Sequence, residues 1–137
     1  MVTIDIAALI YQALSERFEN VNQGTLTDTL DPRRLPAIVY EMVGQSSVAN
    51  APRPGRGTTA DVTLTALAAS RVDAHDACDA ALAALMAGVG AEPEPGAGWL
   101  NRVTLTQEPI SVALTQVSGA NIYQYSAACR VTARRGK

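Results

Sequence analysis

A chain of 137 residues is the size of one domain and is long enough to bury most of its apolar surface in a single core. Its 47% hydrophobic and 18% charged residues exclude wholesale disorder. A formal charge of -2 gives no electrostatic case for nucleic acid or an anionic membrane as the main partner.

The first stretch, MVTIDIAALIYQAL, lacks the basic segment of a signal peptide, and its apolar residues recur periodically without forming a membrane-length run. A soluble, intracellularly made protein is expected. Ile6, Leu9, Ile10, Ala13, Leu14 and Phe18 follow helical spacing, which predicts a helix over residues 3–18 with Thr3 as N-cap and Asp5 in its first turn. The polar run NVNQGTLTDTLDPRR predicts a loop, with a short strand at Thr25–Thr29 as its one candidate element.

LPAIVYEMVG then predicts a strand over about residues 37–44. Ile38, Tyr40 and Met42 share one side, and Val39, Glu41 and Val43 the other, so both faces are expected to be covered for part of its length. Pro36 fits just before the strand, where no ladder donor is lost. The connection over residues 45–57 is rich in Pro, Arg and Gly and longer than a hairpin needs. TTADVTLTALAAS alternates cleanly, with Val62, Leu64, Ala66 and Ala68 on one face. Ser70 with Asp73 resembles a capping box and opens a helix to about Ala87, expected to bury Ala74, Cys78, Ala81, Leu82, Leu85 and Met86.

GVGAEPEPGAG, residues 88–98, reads as a flexible loop. Beyond it, WLNRVTLTQ, ISVALTQV and NIYQYSAACRVTAR read as three strands. In the last, Gln124, Arg130 and Thr132 fall on the wet side. The expected fold is a single α+β domain over residues 1–137, a mostly antiparallel sheet of four to five strands packed by two helices, in the order α-β-β-α-β-β-β.

Reactive chemistry is hard to find. His75 lies among Asp73, Asp76 and Asp79, but these acids drift around the helix and are accounted for by its N-terminal dipole. No nucleophile has a base assigned to it, and the glycines match neither a Walker A nor a dinucleotide fingerprint. Cys78 and Cys129 read as buried, reduced side chains. Trp99 reads as a core plug or an interface anchor. No cofactor or metal is expected, and the protein is expected not to be an enzyme. Arg53 and Arg56 in the 45–57 loop, and Arg130 and Arg134 near the end, suit either solubility or ion pairs with neighbouring subunits.

Four features in this order resemble one family: the helix IDIAALIYQALSERF, the strand LPAIVYEMVG, the strand and alanine-rich helix VTLTALAASRVDAHDACDAALAALMAG, and the closing strand IYQYSAACRVTARR. Together they are similar to the small tail-completion proteins of long-tailed phages, the tail terminators. The resemblance implies a structural virion protein of the tail or neck, assembled in the host cytoplasm. It would form a ring, commonly of six subunits, that caps the tail tube, ends its polymerisation and offers a joining surface to the head. Its partners would be copies of itself, the major tail tube protein and a head-completion or neck protein. DNA would pass through the lumen without specific binding, and no membrane is involved. Subunit contacts are expected at Arg53, Arg56, Glu41, Gln124, Arg130 and Arg134. A head-closure connector, or a small non-catalytic ligand-binding regulatory module, is the alternative.

Overall fold

The computed structural model describes residues 5–23, 35–47, 57–92, 98–117 and 120–134, and for 43–47, 113–117 and 120 the backbone alone. Among these residues two helices and five strands follow one another as α1 (Ile6–Ser15), β1 (Val21–Gln23), β2 (Ala37–Ser47), β3 (Gly57–Ala68), α2 (Arg71–Ala87), β4 (Trp99–Val117) and β5 (Ala120–Arg134). They form the expected α+β domain: one sheet in the order β1-β2-β3-β5-β4, with β1 parallel to β2 and every other pair antiparallel.

The count of strands agrees with the sequence, but their division around α2 does not: three precede it and two follow. Val21–Gln23, read from sequence as loop, pairs with Ile38–Tyr40 and adds a strand early. WLNRVTLTQ and ISVALTQV, read as two strands, are one continuous β4. Glu108-Pro109 looked like a break, yet β4 is the sheet's edge, where a proline removes no needed ladder donor. The extra residues of β4 relative to β5 are taken up at four register irregularities, one of them spanning Gln107 to Ile110. The candidate strand Thr25–Thr29 lies outside the described residues.

Both helices start on side-chain caps. At α1 the cap is Asp5, whose carboxylate accepts from the Ala8 N–H at 3.1 Å, so the expected N-cap at Thr3, outside the described residues, is displaced by two positions. At α2, Ser70 Oγ accepts from the Asp73 N–H at 3.1 Å, as its sequence predicts. The buried stripes are Ile6, Leu9, Ile10 and Leu14 on α1, and Ala74, Ala77, Cys78, Ala81, Leu82, Ala84 and Leu85 on α2. Met86 departs from expectation: it is 47% exposed, because the 100° step from Leu85 turns it onto the outward side with Asp79 and Ala83.

The alanines let α2 lie close across β3 and β5, with α1 beside it against β1. Gly88 closes the contact between helices, since a Cβ there would stand 3.0 Å from the Cβ of Ala13. Two residues on, Gly90 adopts φ +86°, a conformation that suits glycine, and its N–H donates to the Leu100 carbonyl at 2.8 Å. That bond ties the end of α2 to the start of β4.

The main core lies between the helices and one face of the sheet, where Ile38, Tyr40, Val62, Leu64, Leu100 and Val131 meet the helical stripes. Tyr40 spans the two layers: its hydroxyl donates to the Ala7 carbonyl at 3.2 Å, and burial pushes its pKa up to about 12. A second, smaller cluster sits on the other face, with Ala37, Val39, Leu67 and Ile122 buried and Leu35 packed against them. β2 therefore has apolar cover on both sides over residues 37–40, as its sequence implies.

Truncating Leu85, fully buried on the inner side of α2, to Ala is expected to lower unfolding free energy by about 2–5 kcal/mol. Met86→Ala, on the exposed side, should stay within about 1 kcal/mol of wild type. Urea denaturation of the two variants checks the helix's orientation.

Candidate functional site

Antiparallel pairing fixes which side chains share a face, because directly opposed residues point the same way. On the face away from the helices, β5 carries Ile122, Gln124, Ser126, Ala128, Arg130, Thr132 and Arg134 in sequence alternation. Facing them from β3 are Leu67, Thr65, Thr63, Asp61 and Thr59, and from β4 Val112, Ile110, Gln107, Thr104, Arg102 and Trp99. This face has two ends. Near the β4–β5 hairpin it is apolar, with Ile110 47% and Val112 40% exposed. At the opposite end it is cationic.

The cationic end is built by register. Arg102 stands opposite Thr132, which makes Arg130 and Arg134 its two diagonal neighbours at about 7–8 Å. All three are exposed. Arg130 Nε donates to Asp61 Oδ1 at 3.0 Å, across the directly paired strands β3 and β5. Both partners are more than half exposed, 59% and 52%, so the pair orients the guanidinium more than it stabilises the fold. Between the arginines the surface is short and polar: Thr59 and Thr132 bring their hydroxyls to 3.4 Å.

The residues expected at subunit contacts divide as follows. Arg130 and Arg134 share the cationic end, and Glu41 lies exposed on the same face, opposite Thr63. Glu41 also comes directly after the three β2 residues that β1 pairs. Gln124, expected on a wet surface, is instead buried, 7% exposed. It stands opposite Leu67 and next in alternation to Ile122, at the margin of the second apolar cluster. Arg53 and Arg56 lie outside the described residues. Arg102 and Asp61 were not singled out by the sequence; only the pairing with β5 brings them beside Arg130. The strand period of WLNRVTLTQ separates Arg102 from Leu100 and Val103 only once the bulge at Asn101 is known.

On the helix side, His75 is 51% exposed, 3.4 Å from Asp76 Oδ1, with its ring edge-on to Tyr125 at 5.2 Å. Asp73, Asp76 and Asp79 are exposed along α2. Among the described residues no group of three or more His, Cys, Asp and Glu side chains converges as a metal site would require. No helix among them is long and apolar enough to cross a membrane. Cys78 and Cys129 are free and fully buried. Burial pushes both thiols from their ordinary 9.0 up to about 11, with Asp79 and Asp61 respectively adding to the shift.

No protein-family model matches the chain, and no curated protein matches it.

Three outcomes follow from these observations. Arg130→Ala should change stability by less than about 1 kcal/mol in a denaturant titration, since its ion pair is solvent-screened. The raised thiols keep protons in the folded state that the unfolded chain gives up, so stability is intact below pH 9 and falls as pH rises towards 11. Thiol titration at pH 8 should accordingly find both cysteines unreactive until the chain unfolds.

Proposed function

We propose that this protein is a structural subunit of a phage tail, a terminator that assembles into a ring, caps the tail tube and ends its polymerisation. The four-element resemblance supports the reading, and the fold agrees with what that resemblance implies, an α+β domain with two helices on a mostly antiparallel sheet. The observation that carries it is the surface away from the helices. There a 19-residue edge strand and the exposed part of the sheet face display the apolar side chains Ile110 and Val112 at one end and the cations Arg102, Arg130 and Arg134 at the other. Such a mixture of exposed apolar and arginine side chains is what protein interfaces are enriched in.

In this reading the protein works by association and carries out no turnover. Copies of the chain bind side by side, one rim of the ring docks on the major tail tube protein, and the other meets a head-completion or neck protein. DNA crosses the lumen without being specifically held. The ring holds no cofactor, and it acts in the virion after assembly in the host cytoplasm.

Negative-stain microscopy of the purified chain mixed with tail tubes tests this directly. Six-fold rings seated on tube ends are the expected result. Rings that form but leave tube ends bare would move the protein to a head-closure position, and a monomer or dimer that ignores the tubes would end the reading.

A further inference from the structure

Among the described residues the helix side is acidic, while the sheet side has a basic end that also holds Asp61, with Glu41 farther across the same face. Over residues 5–20 and 70–88, the helix layer exposes the carboxylates Asp5, Glu16, Glu19, Asp73, Asp76 and Asp79 against two arginines, Arg17 and Arg71. The face away from the helices gathers Arg102, Arg130 and Arg134 at one end. Each side also exposes apolar groups: Val72 is 68% and Met86 47% exposed on α2, and Ile110 and Val112 lie on the sheet.

We propose that the arginine end of the sheet face of one copy docks on the outward face of α2 of a second copy. Asp76 and Asp79, three residues apart, sit side by side on the helix surface. The three arginines form a triangle with diagonal spacings of about 7–8 Å, on the paired strands β4 and β5. A guanidinium fork engages a carboxylate through two parallel N–H bonds, and Asp61 already holds one N–H of Arg130 in place. Charge complementarity of this kind steers encounter and sets orientation. Nucleic acid fits the face less well, because Asp61 and Glu41 share it and the chain is net acidic.

Because the two patches differ and lie on opposite sides, the contact is head-to-tail. Contacts of that type propagate, and they close into a ring when the rotation between subunits permits. The inference deepens the ring reading and rests on it for closure.

Charge reversal with complementation tests it. One variant carries Arg130→Glu and Arg134→Glu, the other Asp76→Arg and Asp79→Arg; all four positions are exposed. Sedimentation velocity at low ionic strength should show the wild type associating and each variant alone weakened roughly a hundredfold or more. The equimolar mixture should associate again, since the acidic sheet face of one meets the basic helix of the other. Recovery needs both variants folded; if either fails to fold, Arg130→Gln with Arg134→Gln should weaken association in the same direction. Variants that form rings as well as wild type would overturn the contact while leaving the ring reading standing. A wild type that stays monomeric at low salt and on tube ends would overturn both. Binding of duplex DNA through these arginines, without self-association, would also overturn the proposal and reassign the face to nucleic acid.

Discussion

Two helices can shield only one side of a five-stranded sheet, and that asymmetry governs the rest of the molecule. The shielded side is apolar along β2, β3 and β5, from Ile38 and Tyr40 through Leu64 to Val131, and at the start of β4. Alanines on α2 let it lie close on the sheet, the bare Gly88 lets α2 approach Ala13 of α1, and Tyr40 reaches across the layers to the Ala7 carbonyl. The other side has to be tolerable in contact with something other than a helix. It is, because threonine, serine and alanine occupy most of its centre. A small apolar cluster around Leu67 and Ile122 closes one end of it.

That unequal division also sorts the charge. Carboxylates favour the solvent side of helices and their first turns, where the dipole stabilises them. Arginines fall on the sheet's outer face because strand alternation sends every second residue of β5 there. The proposed head-to-tail contact draws on this division, one acidic side meeting one partly basic side. In that proposal assembly needs no reactive group, and it gives a use to the arginine-bearing end of a long edge strand. An edge as long as β4 would otherwise be an aggregation hazard, one that its four irregularities and Pro109 moderate.

Much of the fold was legible in the residues. Ser70 marked the start of α2, its apolar spacing marked the buried face, and the two-sided pattern of Ala37 to Tyr40 marked a strand covered on both sides. What local sequence could not carry was pairing. The parallel partner Val21–Gln23 is too short to show a period, and Glu108-Pro109 hid the continuity of β4. Gln124 looked wet by alternation, yet a partner strand placed Leu67 opposite it. The site shows the same limit more sharply: Arg130 and Arg134 were visible as a basic concentration, but Arg102 and Asp61 join them only through strand register, which for the Asp61–Arg130 pairing reaches across more than sixty positions.

The central claim is a head-to-tail contact between the sheet face and α2, and engineered cysteines address it most directly. Thr104, opposite Arg130, and Ala83, one turn beyond Asp79, are both exposed, and both native cysteines are buried. Oxidation of a Thr104→Cys, Ala83→Cys double variant should produce a disulfide ladder ending at the ring size, while each single variant stays unlinked. Disulfide dimers from either single variant, or no ladder from the double variant at concentrations where the wild type assembles, would contradict the account.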